Sequence, residues 1–354
     1  MITKSQGEPI SGWQRRIMGR KEEQMIAYYR ESRHFSWLLN GWLYHGKAVV
    51  EAQHVEDMNV RYTGESGKRG HSHQRSRYRD VIKKVDHVKY VLLLGTEMQT
   101  YIDYSMPVRV MDYDVLEYNE QIQAINAVRK SEETGENRKL ELSRLRKEDR
   151  LIPVITLVLY IGKEPWDAAK NLHGILDLSK IPEELLEYIP DYQMQVLDVC
   201  HTTDERLLEF PSDISCMFLS MKYCDDFEKL SQVYKDNPKL RCVEEETYET
   251  IWNVVDKKDK RMLLIKNEAR EEGGINMCKA VDQMLECGRR EGIEIGMERG
   301  IERGMERGLE QGIQFLIESY QEIGATYDST QFQIELKYRL DSNQAEKYMR
   351  QYWK

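Results

Sequence analysis

The sequence predicts an α/β fold, a mixed central sheet flanked by helices, followed by a helical C-terminal extension. Three observations predict it. Residues 90–95 (YVLLLG) and 152–162 (IPVITLVLYIG) are continuous apolar runs, as strands covered on both faces require. Between them, 105–130 opens with Ser105 and Pro107 and then places apolar residues at helical intervals, so the core reads strand, strand, helix, strand. Glycine recurs every four residues from 288 to 312 within a charged stretch, which marks a segment of different construction.

In chain order, residues 1–20 form an N-terminal arm, and 21–45 have helical spacing with Ile26, Tyr29, Phe35, Leu38 and Trp42 as core contacts. Residues 48–62 supply a strand and a turn, and 63–77 read as a polar loop. A hairpin follows, with strands at 80–86 and 91–97, the first mixed and half exposed, the second buried. After the helix at 105–130 come a charged connector (131–150), the strand at 152–162, a further strand in QVLDVC (195–200), and helices to about residue 256. The expected organisation is an arm (1–20), a catalytic-type α/β domain (21–256), a charged helical Gly-Glu-Arg repeat (257–312) and a C-terminal helical module (313–354).

Composition narrows the function. The chain has 354 residues, 40% of them apolar, enough for a sizeable core; 32% charge and a mean hydropathy of -0.68 require solvated helix as well. A net charge of -9 disfavours indiscriminate nucleic-acid binding, so any polyanion contact is local. One segment suits it: residues 68–84 carry seven Lys or Arg against the single Asp80, and Lys68, Arg69, Arg75, Arg77 and Arg79 are the candidate phosphate contacts. The cysteines at 200, 216, 224, 242, 278 and 287 have neither zinc spacing nor the density of a disulfide framework. With no hydrophobic signal region and no apolar stretch near 18 residues, a cytoplasmic protein without a membrane partner is expected.

The chemistry-bearing pattern is Asp80 with Glu97-Met98-Gln99. Alternate strand residues share a face, so Glu97 and Gln99 point together and Met98 points away. Asp80 lies opposite Glu97 only if the hairpin turn is centred between Val88 and Lys89. A turn at Asp86-His87 would pair Asp80 with Leu93 and separate the carboxylates by roughly 13 Å along the strand. In the first register two carboxylates can share a divalent cation beside a polar amide, a donor set for phosphodiester hydrolysis. The competing reading pairs Asp80 with Arg77 or Arg79 and turns Glu97 to solvent.

The segments RYRDV (77–81), YVLLLGTEMQTYIDYSMPVRVMDYD (90–114), RLIPVITLVLYIGKEPWD (150–167) and the Glu-Gly repeat give the chain its resemblance to the Rpn family of recombination-promoting nucleases or putative transposases, within the PD-(D/E)xK nuclease superfamily. The resemblance implies a restriction-endonuclease-like core and a Mg²⁺- or Mn²⁺-dependent DNA endonuclease associated with recombination or mobile elements. It implies that Asp80 and Glu97 are metal ligands, that the Met98 carbonyl completes the metal shell, and that Gln99 occupies the position of the superfamily's lysine. The first helix departs from the family pattern: ESRHFSWLLN carries Arg33 and His34 before Phe35, and its nearest carboxylate, Glu31, is a further candidate metal ligand. A catalytically weakened DNA-binding or scaffolding protein is the alternative.

The repeat places Ile293, Met297, Ile301, Met305, Leu309 and Ile313 each one residue after a glycine. A period of four overshoots a helical turn by about 40° per repeat, so a partner could follow it only with a right-handed wrap. Each glycine costs about 1 kcal/mol relative to alanine, which predicts fraying in isolation. Two readings stand: a homo-oligomer through residues 288–313, or a charged spacer. QFLIESYQEIG and QFQIELKYRLDSNQAEKYMRQYWK then read as a helical pair.

Overall fold

A computed structural model describes residues 20–58, 61–66, 73–78, 80–88, 90–132, 144–255 and 261–354. They divide into two compact units, Met1–Asp282 and Gln283–Lys354. The arm at 1–19, Lys68, Arg69, Arg79 and residues 133–143 of the connector lie outside the described residues.

The first unit begins with α1 (Arg20–Arg30), which buries Glu22, Met25, Ile26, Tyr28 and Tyr29 along one face. The expected single helix over 21–45 is two helices, because Glu31 is extended (φ -68°, ψ 123°) and starts α2 (Ser32–Tyr44). Ile26, Tyr29, Phe35 and Leu38 are buried as expected, and Trp42 is half-buried. His45 ends α2 in the left-handed conformation, and Asn40 then fixes the exit by accepting from the Val49 and Val50 amides.

The central sheet has five strands: β1 (Val55–Asp57), β4 (Val81–His87), β5 (Tyr90–Gln99), β6 (Val154–Tyr160) and β7 (Gln195–Asp198), in the order β1-β4-β5-β6-β7. β4 runs antiparallel to both its neighbours, β1 and β5; β5, β6 and β7 are parallel. Between β5 and β6 runs α3 (Met106–Glu132), whose Met106 and Val110 pack on Val158 and Met194. A helix is needed there because parallel neighbours require a crossover.

Two further expectations change. The polar loop at 63–77 is mostly a β-hairpin, β2 (Arg61–Ser66) pairing antiparallel with β3 (His73–Tyr78). Backbone pairing alone satisfies such a ribbon, so it carries no apolar run to betray it. β4 is also more buried than a half-exposed strand, since the Lys83 ammonium donates to the Arg30 carbonyl and the Asp57 carboxylate and its stem enters the core.

The first unit continues through α4 (Ser212–Lys222), α5 (Phe227–Asp236), α6 (Glu245–Val255) and α7 (Arg261–Glu268). A small sheet of β8 (Cys242–Val243), β9 (Arg270–Glu271) and β10 (Gly274–Asn276) follows in the order β8-β10-β9. The repeat belongs to α8 (Met277–Glu322), one 46-residue helix. Within the second unit, the end of α8 packs with α9 (Tyr327–Tyr338) and α10 (Ser342–Tyr352) around Ile313, Ile317, Ile334, Ala345 and Met349.

Candidate metal and nucleic-acid site

The β4/β5 register positions the candidate site. Val81 pairs with Thr96 and His87 with Tyr90, a two-residue connection centred between Val88 and Lys89. Continued by one residue, this register would set Asp80 opposite Glu97. The alternative register, pairing Asp80 with Leu93, does not occur: Leu93 pairs with Lys84.

β4 stops short of β5, and the Asp80 side chain takes over the vacated pairing: its Oδ2 accepts from the Met98 amide at 2.8 Å. In an extended strand the N–H and C=O of one residue point to the same side, so the Met98 carbonyl also opens toward Asp80. Glu97 and Gln99 are buried, at 0% and 3% exposure. The Gln99 Oε1 has no hydrogen-bond partner among the described residues, an acceptor lacking a donor or a cation.

Arg109, in the first turns of α3, supplies the positive charge. Its Nη2 donates to Glu97 Oε2 at 3.1 Å, Nε donates to the Tyr113 hydroxyl at 3.0 Å, and Nη1 lies 3.6 Å from Asp103. Burial works against the guanidinium's charge, but Glu97, Tyr113 and Asp80 outweigh it and raise the Arg109 pKa. Burial, then the Glu97 charge, pushes the Tyr113 hydroxyl up to about 12. Asp80 is pushed up to about 6: burial raises it, the Met98 amide and Arg109 oppose that, and Glu22 adds to it.

Sequence reasoning missed Arg109 and Glu22. A cation in the first turns of a helix opposes the helix dipole, and α3 has no acidic residue in its first turn; that misplaced charge was the available signal. Glu22 reaches the end of β5, its Oε1 accepting from the Thr100 amide at 2.9 Å and hydroxyl at 2.7 Å. Nothing local in the sequence marks a contact spanning 78 positions. Glu31, the carboxylate considered from the sequence, is exposed at the α1/α2 break. Arg33 pairs with Glu244, and His34 is buried and stacked on Tyr28 at 3.9 Å, so the altered first-helix residues pack the fold.

The donor set fits a hard divalent cation, being all oxygen: the Asp80 and Glu97 carboxylates, the Gln99 amide and the Met98 carbonyl. Among the described residues, however, no three His, Cys, Asp or Glu side chains come together to hold a metal ion. Of the basic candidates, Arg75 and Arg77 lie on β3, opposite Gly64 and Tyr62. Lys84, in the same basic segment, is engaged with Glu56 and Asp86.

Among the described residues no helix is long and apolar enough to cross a membrane. A sequence model of the family described as "Putative transposase, YhgA-like" matches residues 71–248, which takes in β3 to β7, α3 and both carboxylates. No curated protein and no solved structure matches the chain.

Proposed function

The chain belongs to the YhgA-like putative transposase family, and on that premise we propose that it is a DNA-binding, scaffolding protein with a weakened hydrolytic centre that oligomerises through its C-terminal repeat. The family supports a nuclease or transposase association. The observation that carries the weakened reading is the Arg109–Glu97 ion pair beside a neutral Gln99. Arg109 holds the acidic site by neutralising a carboxylate that a cation would need, and Gln99 cannot offset charge on the phosphate as a lysine would.

Asp80, Glu97, Gln99 and the Met98 carbonyl would hold Mg²⁺ or Mn²⁺, which when bound lowers the pKa of its water and offsets phosphate charge. The chain's own groups do the rest. Gln99 presents an amide to orient water, and Arg109, drawn from Glu97, can turn to a phosphate oxygen. Lys68, Arg69, Arg75, Arg77 and Arg79 supply the local positive charge that the acidic chain needs to bind DNA.

A fully active Mg²⁺-dependent endonuclease is the second reading, favoured by the opposed Asp80 and Glu97 and the buried Gln99 oxygen. Plasmid nicking and gel-shift assays separate the two. The proposal expects salt-sensitive DNA binding by both wild type and Glu97→Ala, with slow Mg²⁺-dependent nicking that Glu97→Ala abolishes. Turnover near the ordinary enzymatic range of about 1 s⁻¹ or faster would establish the second reading instead. Absence of DNA binding at low salt would remove both.

A further inference from the structure

The repeat helix has an apolar face that nothing among the described residues covers. Ile293, Met297, Ile301, Met305 and Leu309 are 58%, 64%, 57%, 71% and 39% exposed. At Gly288, Gly292, Gly296, Gly300, Gly304 and Gly308, an added Cβ would meet nothing within 4 Å. Contact begins only at Gly312, where the Tyr338 hydroxyl would lie 2.7 Å from a Cβ, and Ile313 is buried in the C-terminal cluster. The stretch from Gly288 to Gly308 is about 30 Å of helix.

We infer that the occupant of this face is a second copy of the chain, its repeat helix running parallel and crossing right-handedly, with each Ile/Met/Leu ridge seated in the partner's glycine groove. The inference rests on the proposed self-association and adds its orientation and packing. Residues four apart form the i±4n rows of a helix surface, and interdigitating such rows sets the crossing near -50°. A four-residue repeat makes each row chemically uniform. In order around the helix these are glycine, the apolar row, Glu294, Glu298, Glu302 and Glu306, then Arg299, Arg303 and Arg307. The apolar row is thus flanked by glutamate and the glycine row by arginine.

Symmetry then decides direction. In a parallel pair the two-fold axis runs along the helices, so the apolar row of one faces the glycine row of the other, and the flanking glutamates meet the partner's arginines. An antiparallel pair turns like rows together: ridge against ridge, groove against groove, Glu against Glu and Arg against Arg. Only the parallel arrangement satisfies shape and charge together.

Sedimentation of the full chain, with circular dichroism to monitor helix content, tests this. Wild type should sediment as a dimer at micromolar concentration. The triple variant Gly296→Leu, Gly300→Leu, Gly304→Leu should be monomeric with undiminished helix content, since leucine is the better helix former. A wild type that remains monomeric overturns the self-association itself; a groove-filled variant that still dimerises overturns the ridge-in-groove packing while leaving association intact. Orientation is read from a chain in which Glu298, Glu302 and Glu306 become Arg while Arg299, Arg303 and Arg307 become Glu. In the parallel arrangement it pairs with itself but not with wild type. Preferential mixing with wild type overturns the parallel orientation while leaving association intact.

Discussion

The acidic end of β5 and the repeat stretch of α8 both place charged side chains at regular intervals, yet their environments are opposite. At the sheet, Glu97 and Gln99 are buried at the end of β5, between β4 and β6, and the Glu97 charge is answered by a fixed neighbour, Arg109. Along the repeat, Met297, Ile301 and Met305 stand exposed, and beside Gly296, Gly300 and Gly304 no described atom lies within 4 Å of an added Cβ. Where side chains are buried, position is set by register and each charge needs a local answer. Where they are exposed, periodicity is the information, and a second molecule must supply the answer.

The sharpest way to break the first half of this comparison is to remove the local answer. Arg109→Ala leaves Glu97 buried without its guanidinium, and because Arg109 itself is 28% exposed the cost should be about 2–4 kcal/mol, read from urea unfolding. Combining it with Glu97→Gln should recover most of that loss. If the double variant is as unstable as the single one, the ion pair is not what ties α3 to β5.

Next in size is a pH effect at Asp80. Its folded pKa of about 6 lies above the ordinary 3.8, so folding favours the protonated carboxyl. That contribution is complete below about pH 4 and is lost as pH rises through 6. Asp80→Asn should therefore match wild type near pH 4 and be more stable by roughly 2–3 kcal/mol above pH 7. Denaturation midpoints across this range check it; a pH-independent difference would mean that Asp80 is not strained by burial. The same titration implies that metal-dependent nicking declines below about pH 6, where proton and cation compete for the carboxylate.

The smallest effect sharpens the other half. Gly300→Ala should stabilise the repeat helix by about 0.5–1 kcal/mol at concentrations where the chain is monomeric, read by thermal circular dichroism. An equal gain in the associated state would argue that no partner approaches Gly300 closely.

Sequence reached the sheet better than the site. The sequence left two registers open for the hairpin, and the one found is that of the Val88/Lys89 turn, which a buried β5 then holds against slipping. The β2/β3 hairpin escaped because a polar ribbon lacks apolar alternation, and the break at Glu31 escaped because neither proline nor glycine marks it. Lys83 lies in a strand read as half exposed, and only the fold reveals the Asp57 carboxylate and Arg30 carbonyl that let it be buried. Arg109 and Glu22 act through contacts between separate elements, which no local spacing encodes.

The account turns on Arg109 being the resident cation of the acidic pair, and Mg²⁺ calorimetry on wild type and Arg109→Gln at neutral pH tests that most directly. With the competitor removed, Arg109→Gln should bind Mg²⁺ about tenfold more tightly, or about 1.4 kcal/mol. Equal or weaker binding by a folded Arg109→Gln protein would contradict the account.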